Sequence, residues 1–282
     1  MSDKANLSPY LYHYTSINAL AQILETKAFL FTPLTNLDDQ DEGKIRGLGA
    51  WAKYCFVSSW TDEDKESIPM WKMYSSDMCG IRIRLPRDLF PKYLIDLGCM
   101  RKFLQKKSQC LIPEGKDDEI YMASPVPAKE YFNSKYNFAG SKSGVDLFKV
   151  KYIDQVEQHD LPDEHIGNGM FHVNLDLYGH EKSEHWDFQH EWRYLVKIKP
   201  KPYGRVTNMD VSGTVENLQY IYDPDLPFKR YLIHVDKEKF KDMEITLGPK
   251  ANKGDETLVS LLIKKYNPKA IWNQSILKER IK

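Results

Sequence analysis

The sequence has no long apolar run and no excess of charge of either sign. No apolar stretch approaches the roughly 20 residues that a membrane-spanning helix requires, and the segment 1–6 lacks the basic and then apolar layout of a secretory signal. Lysine and arginine together number 40, as do aspartate and glutamate together, so no overall field draws the chain to nucleic acid or to anionic lipid. We therefore expect a cytoplasmic protein that has no membrane partner.

Cysteine is scarce and shows no metal-binding pattern. Cys55, Cys79, Cys99 and Cys110 have no C-x-x-C spacing, and in a reducing compartment such residues usually act as small core hydrophobes. Three histidines and three glutamates crowd into the segment 180–191, and such crowding could also bind a metal. Their spacing matches no ligand motif such as H-E-x-x-H. We therefore predict no metal site.

Hydrophobic periodicity indicates both strands and helices. With 282 residues, 41% of them hydrophobic, the chain is long enough to bury a substantial core. Strands are predicted at 11–14, 29–32, 53–60, 79–85, 191–198, 230–235, 244–247 and 270–272. Helices are predicted at 17–24, 68–74, 89–107, 145–156 and 256–266. This alternation predicts an α+β fold with one central, mixed and largely antiparallel sheet and flanking helices.

The hydrophobic periodicity is weaker in the middle third of the chain. No internal repeat or low-complexity linker separates independent units. We therefore predict a single domain spanning 1–282, with a more helical or irregular insertion at about 87–179. In the last predicted helix, Leu258, Leu261 and Leu262 are expected to form one apolar face.

The first candidate constellation is His13-Tyr14-Thr15 in the first predicted strand. Side chains alternate between the faces of a strand, so His13 and Thr15 share one side with Leu11 and could act together. A His-x-Thr pair also occurs in phosphoesterases that use two such pairs, but the segments at His172 and His234 lack the second hydroxyl. The alternative is that His13 simply hydrogen-bonds a backbone carbonyl beneath the following helix.

The second candidate constellation begins at Glu191. Alternation places Glu191, Arg193, Leu195 and Lys197 on one face of the strand, while the residues between them pack the other. A buried polar group costs free energy unless something binds it. Either a ligand site or a Glu191–Arg193 ion pair would satisfy this requirement.

The third candidate is a short aromatic helix followed by a basic strand. Trp71 and Tyr74 stand three residues apart, which either anchors a helix on a core or offers a ring to a planar ligand. In the next strand, Arg82 and Arg84 share one side, where a phosphate or a carboxylate could be held. A solvated strand edge explains the two arginines equally well.

Taken in order, these motifs resemble a bacterial family, Domain of Unknown Function 2971. The resemblance spans most of the chain, and one departure is visible, because the family's usual Asn-Asp-Pro-x-Glu turn is replaced by the acidic segment 36–42. The motifs that carry it are His13-Tyr14-Thr15, Asn36 followed by acidic residues, Cys55-Phe56 with serines, Trp71-x-x-Tyr74 leading to Gly80, Glu191-Trp192-Arg193 and Leu247-Gly248-Pro249-Lys250.

The arrangement is also similar to ADP-ribosyltransferases, whose split sheet binds NAD between three motif-bearing strands. The resemblance implies that Glu191 is the catalytic carboxylate, that His13 holds the adenosine ribose and that Tyr74 stacks on nicotinamide. Gln189-His190-Glu191 fits the Gln-x-Glu pattern of the Arg-type enzymes, and Ser58-Ser59 resembles their serine strand. The substrate-binding residues implied are His13, Tyr14, Thr15, Ser58, Ser59, Trp71, Tyr74 and Arg193.

The resemblance implies a function in which NAD is a substrate and no metal is used. The protein would cleave the nicotinamide-ribose bond and transfer ADP-ribose to water or to a macromolecule, either protein or nucleic acid. By family analogy it would act as a bacterial toxin or defence effector. The alternative is a non-catalytic module that recognises a nucleotide or a partner protein with the same cleft, with Glu191 paired to Arg193.

Overall fold

The computed structural model describes residues 8–39, 51–96, 121–131, 133, 135–138, 144–154, 164–166, 170–172, 178–200 and 225–281. Sixteen strands lie in this part of the chain: β1 (Tyr10–Thr15), β2 (Ala28–Pro33), β3 (Cys55–Thr61), β4 (Ile81–Pro86), β5 (Tyr93–Asp96), β6 (Tyr121–Ser124), β7 (Tyr136–Phe138), β8 (Asp146–Lys149), β9 (Lys151–Ile153), β10 (Glu164–Ile166), β11 (Met170–His172), β12 (Glu181–Ser183), β13 (Glu191–Pro200), β14 (Tyr231–His234), β15 (Glu244–Leu247) and β16 (Ile271–Gln274). The α-helices of these residues are α1 (Ile17–Thr26), α2 (Ile68–Tyr74), α3 (Ala128–Tyr131), α4 (Lys237–Lys241) and α5 (Lys253–Tyr266). Three 3-10 helices accompany them, at Leu34–Asn36, Trp51–Tyr54 and Glu184–Gln189.

Ten of these strands form one central sheet. Its path runs β14-β2-β3-β1-β4-β15-β16, and β13 joins it through β3 while also pairing with β7 and β8. Every pairing in this sheet is antiparallel except that of β15 with β16. The predicted α+β class, with a mixed and largely antiparallel central sheet, is therefore confirmed.

The sheet opens beside β3. One edge of β3 pairs with β13 along its whole length, but the opposite edge is shared by two strands. β1 pairs with β3 through Tyr12 and Thr61, and β2 pairs with it through Thr32 and Val57 and the next residue pair. Between these two points β1 and β2 diverge, so the middle of β3, around Ser59, faces an opening rather than a neighbouring strand.

Helix α1 is set by its local sequence and links the two diverging strands. Ser16 caps it by accepting a hydrogen bond from the Ala19 amide at 3.0 Å. Leu20, Ile23 and Leu24 are buried at helical spacing. Lys27 then adopts a left-handed conformation with φ 52°, which ends the helix and returns the chain into β2.

The two faces of β13 differ as the alternation predicted. The largest buried cluster takes Trp192, Tyr194, Val196 and Ile198, whereas Leu195 belongs to a smaller cluster on the other face with Leu34 and Val57. Glu191 and Arg193 lie in the same alternating row as Leu195. These two ionisable residues are therefore buried beside a small core rather than exposed to solvent.

The predicted helix at 145–156 is wrong. Residues Asp146–Lys149 form β8, which pairs with the outer edge of β13, and Lys151–Ile153 form β9. An available strand edge decided the conformation against local helical spacing. Part of the segment expected as an insertion thus adds strands to the main sheet. Tyr93–Asp96, predicted as helical, is likewise a strand, and 97–107 lie outside the described residues.

The apolar face predicted for the last helix is wrong for Leu258 and Leu261, whereas Leu262 is half-buried and packs against the core as predicted. Leu258 and Leu261 are 52% and 58% exposed, whereas Val259 and Ile263 are buried. Helix α5 packs against α1, and its residues Val259 and Ile263 belong to the main hydrophobic core. None of the helices in the described ranges combines the length and the apolar character needed to cross a membrane.

Candidate functional site

A cavity of about 280 Å³ opens where β1, β3 and β13 meet the C-terminal end of α2. Its lining includes His13, Ser59, Tyr74 and Glu191, which come from four different predicted motifs. Strand register explains part of this convergence, because Glu191 is paired with Thr61, and Thr61 with Tyr12. Motifs from the first strand, β1, and from the distant strand β13 therefore lie on either side of β3.

Glu191 is 4% exposed and bound by two cations. Arg193 Nε donates to Glu191 Oε1 at 2.8 Å and Arg193 Nη2 donates to Oε2 at 3.1 Å. Lys182 Nζ donates to Oε2 at 3.0 Å. Arg193 is fully buried behind the carboxylate, where its Nη1 donates to the Gly179 carbonyl at 2.9 Å. The ion pair considered from the sequence is formed, and a lysine is added to it.

These partners keep the Glu191 carboxylate ionised. Burial raises the pKa of Glu191, but the charges of Arg193 and Lys182, together with hydrogen bonds from Arg193 and the Ser59 hydroxyl, outweigh burial and hold the pKa at about 2. At neutral pH the cavity therefore contains a fixed negative charge that is already desolvated.

A second chain of hydrogen bonds leads from Lys182 to the aromatic wall of the cavity. Lys182 Nζ donates to Gln189 Oε1 at 2.8 Å, and Gln189 Nε2 donates to the Tyr74 hydroxyl at 2.6 Å. The Tyr74 hydroxyl is also hydrogen-bonded to Asp38, and burial, followed by the charges of Asp38 and Glu191, raises the pKa of Tyr74. Tyr74 is therefore a neutral, anchored ring.

The turn at His190 brings Gln189 and Glu191 to one cation. His190 ends the 3-10 helix with φ 44°, a left-handed conformation that costs about 1–2 kcal/mol in a residue with a Cβ. Strand β13 begins at the next residue. This turn lets Gln189, the last residue of the 3-10 helix, and Glu191, the first residue of β13, both reach Lys182.

His13 lies in the opening between β1 and β2. Its Nδ1 hydrogen-bonds the Ser59 carbonyl at 2.8 Å, and its ring contacts Trp60 and Phe29 with centroid distances of 5.1 and 5.7 Å. Burial lowers the pKa of His13, opposed only in part by the bond to Ser59. A neutral imidazole that donates through Nδ1 presents its Nε2 lone pair as an acceptor. The backbone hydrogen bond considered as the alternative for His13 is formed, and its acceptor is the Ser59 carbonyl in β3.

His13 and Glu191 reach the cavity from different sides of the sheet. Glu191 shares a row with Tyr12, and His13 is one residue further along β1, so its side chain leaves the opposite side of the strand. Both still line the cavity, because β1 and β3 separate at this position. Convergence of the two groups depends on the opening in the sheet.

A second cavity of about 430 Å³ lies on the α1 side of the same opening. Four residues line both cavities, among them His13 and Ser59. Thr15 and Ser58 line only the second, and the Ser58 hydroxyl accepts a hydrogen bond from Trp60 Nε1 at 3.0 Å. The two cavities therefore adjoin at His13.

Trp71 and Arg193 do not occupy the positions that the resemblance implies. Trp71 is fully buried, donates from Nε1 to Glu66 at 2.9 Å and packs edge-on against Tyr14 at 4.9 Å. Neither Trp71 nor Arg193 lines the cavity. Tyr14 does line it, although its hydroxyl also accepts a hydrogen bond from the Ser67 amide at 3.2 Å. Trp71 is a core residue of α2, and Arg193 lies behind Glu191, to which it donates two hydrogen bonds.

The two arginines of β4 are committed elsewhere. Arg84 forms a two-point pair with Glu244, with Nε to Oε2 at 2.7 Å. Arg82 lies over the Tyr12 ring at 4.6 Å and donates to the Asp64 carbonyl at 2.9 Å. Neither lines the cavity, and the carboxylate that this strand holds is the side chain of Glu244.

Sequence reasoning missed Lys182 and Asp38 as members of the site. Lys182 is the only cation in the segment 180–191, and that isolation among three glutamates was the available signal. Asp38 lies in the acidic turn whose role the motif order left unassigned. Arg230 and Met70 also line the cavity.

Two glycine-bearing motifs support the site without entering it. The Gly248 amide donates to the Gly80 carbonyl at 2.9 Å. A Cβ at Gly80 would lie 2.3 Å from the Thr15 carbonyl oxygen, and one at Gly248 would lie 2.2 Å from that of Met78. Only glycine permits these approaches, which join the end of β1 to the turn after α2 and so fix Tyr74 relative to His13.

The comparisons with known proteins add no assignment. No family model, no curated protein and no solved structure matches this chain. No three His, Cys, Asp or Glu side chains of the described ranges are grouped so as to hold a metal ion.

Proposed function

We propose that the two cavities bind NAD and that the protein is an ADP-ribosyltransferase-like enzyme, related to the family that its motif order resembles. It cleaves the nicotinamide-ribose bond and transfers ADP-ribose to water or to a protein or nucleic-acid acceptor. The observation that carries this proposal is an ionised, buried carboxylate, Glu191, in one cavity with a neutral imidazole, His13, and an anchored aromatic ring, Tyr74.

The shape of the opening supports a dinucleotide. Ligand pockets usually enclose about 300–1,000 Å³, and the adjoining cavities measure about 280 and 430 Å³. The nicotinamide riboside half would lie beside Glu191 and Tyr74. The adenosine half would extend past His13 into the second cavity, on the α1 side. The Nε2 atom of His13 would accept a hydrogen bond from a ribose hydroxyl.

The electrostatics of Glu191 suit this bond cleavage. As the bond between ribose C1′ and the pyridinium nitrogen breaks, its electron pair passes to nicotinamide and positive charge develops on the sugar. A carboxylate that accepts a hydrogen bond from the ribose 2′-hydroxyl stabilises this charge, and such preorganised groups are commonly worth about 10²–10³ in rate. The acceptor then bonds to C1′ and releases its proton. NAD is consumed as a substrate in this scheme.

Release of nicotinamide from NAD tests the proposal. We expect the purified protein to release it, alone or with a cell extract that supplies the acceptor. Glu191→Gln should slow release by about 100-fold or more. Glu191→Asp, which keeps the charge but withdraws it from the ribose, should also be slow.

Two comparisons separate catalysis from folding. Loss of the Glu191 charge leaves two buried cations, so the folded fraction of each variant must be measured by circular dichroism. Glu244→Gln removes a carboxylate paired with Arg84 on the same sheet but outside the cavity, and it should leave release unchanged. If wild-type protein releases no nicotinamide with any extract, the enzyme proposal is wrong. If Glu191→Asp is as fast as wild type, Glu191 is not the catalytic carboxylate.

One observation favours a second candidate, a nucleotide- or protein-binding module. Both carboxylate oxygens of Glu191 already accept hydrogen bonds from Arg193 and Lys182. A module of this kind would bind NAD or another nucleotide in calorimetry without releasing nicotinamide. The enzyme would show both binding and release.

A further inference from the structure

Lys182 is a buried lysine whose partners both line the NAD-sized opening. It is 4% exposed and is held in β12 by parallel pairing with β9. A buried ammonium is costly unless it is paired. Lys182 Nζ contacts Gln189 Oε1 at 2.8 Å and Glu191 Oε2 at 3.0 Å, and the Trp186 ring lies 5.0 Å away. One cation therefore joins the two side chains that flank His190.

The ammonium group also determines the orientation of the Gln189 amide. Because an ammonium only donates, the oxygen of the amide must face Lys182. The amide nitrogen must then face the Tyr74 hydroxyl, to which it donates at 2.6 Å. The position of the candidate nicotinamide-facing ring is thereby coupled to that of the Glu191 carboxylate.

On the basis of the proposed function, we infer that Lys182 is the positioning residue of the site. Its ammonium holds Glu191 and Gln189 in one arrangement, so that the ribose and the nicotinamide ring of NAD meet the carboxylate and Tyr74 together. Lys182 lines the cavity together with these two partners and acts through them.

Arg193 does not duplicate this role. It holds Glu191 from the buried side and donates to the Gly179 carbonyl. Lys182 instead donates to Gln189 and Glu191, the residues on either side of His190. Removing Lys182 therefore leaves Glu191 paired with Arg193 while releasing the Gln189 amide. We therefore expect Glu191 and Tyr74 to be misaligned, which lowers turnover more than it weakens NAD binding.

Kinetics of three variants test the inference. Lys182→Met should lower kcat for nicotinamide release by about 10- to 100-fold, the equivalent of a lost charged hydrogen bond, with a smaller change in KM. Lys182→Arg, which keeps a cation with several donors, should recover part of the loss. Lys197→Met is the matched control, because Lys197 is also buried in β13 and paired with a carboxylate, Asp146, at 3.5 Å, but lies outside the cavity lining.

The pH profile separates positioning from simple destabilisation. Lys182 is one of the groups that lower the pKa of Glu191, so the acid limb of kcat should move to higher pH in Lys182→Met and stay in place in Lys197→Met. A fall in activity that only follows the folded fraction, with an unmoved acid limb, would overturn the inference. Should the Met variant not fold, Lys182→Gln, which keeps hydrogen-bond donors without the charge, takes its place, and an unmoved acid limb in that variant would overturn the inference.

A titration of labelled protein keeps this inference distinguishable from the proposed function. The Glu191 carboxyl can be followed by NMR in protein with ¹³C-glutamate, without NAD. If wild-type protein releases no nicotinamide, the proposed function fails. An upward shift of the Glu191 titration in Lys182→Met, absent in Lys197→Met, would still support control of the carboxylate by Lys182, and no shift would overturn it.

Discussion

Glu191 is the counter-ion of two buried cations as well as the candidate catalytic group. Breaking a buried ion pair by removing one partner typically costs about 3–5 kcal/mol, and here Arg193 and Lys182 would both lose their carboxylate. The same pairing lowers the pKa of Glu191 from its ordinary 4.5 to about 2. A pKa that is lower in the folded state means that the ionised carboxylate stabilises the fold.

This linkage predicts an acid-dependent loss of stability. The contribution of Glu191 is complete above about pH 4.5, and it is lost as the pH falls towards the folded-state pKa of about 2. In urea unfolding at a series of pH values, Glu191→Gln should be less stable at pH 7 but should show a flatter decline across this window. Equal slopes in the two proteins would contradict a paired, ionised Glu191.

For single residues, the sequence predicts which face of a strand a side chain occupies but not which distant residues it contacts. Alternation along β13 correctly separates Glu191 and Arg193 from Trp192, because that depends only on strand geometry. The role of Lys182 depends on where β12 pairs, which is a long-range property. Trp71 and Tyr74 share a helical spacing, yet Trp71 is buried and Tyr74 lines the cavity, because β1 and the C-terminal residues cover one of them.

Helix α5 shows how packing selects a face that composition does not mark. Its leucines Leu258 and Leu261 are exposed, while Val259 and Ile263 are buried. Val259→Ala should therefore lower the free energy of unfolding by about 1–3 kcal/mol, since it opens space in the core. Leu258→Ala and Leu261→Ala should each change it by about 0.5 kcal/mol or less. Thermal and urea unfolding of the three variants check this, and a larger loss at Leu258 would contradict the orientation of the helix.

Elements with their own end signals are predictable, and elements that depend on a neighbour's edge are not. Helix α1 has its Ser16 cap, and Ile68–Tyr74 and Glu244–Leu247 match their predicted bounds because capping or alternation is local. Strand β8 exists because β13 offers it an edge. No periodicity within 145–156 reports on that edge, and so the helical prediction failed there.

At the scale of the whole molecule, the candidate site lies where one strand has three partners. β3 pairs with β13 on one side and with both β1 and β2 on the other, and the resulting opening lets His13 and Glu191 line one cavity from different sides of the sheet. The order of the motifs along the chain predicted that His13, Tyr74 and Glu191 belong to one site. It did not predict the two adjoining cavities, because they follow from how far β1 and β2 diverge.

A crystal structure of the protein grown with saturating NAD, or with a non-hydrolysable NAD analogue, tests the central claim most directly. We predict a nicotinamide ring against Tyr74, its ribose 2′-hydroxyl within hydrogen-bond distance of Glu191, and the adenosine beyond His13 on the α1 side. An NAD molecule bound elsewhere, or an opening that stays without NAD at saturation, would contradict it.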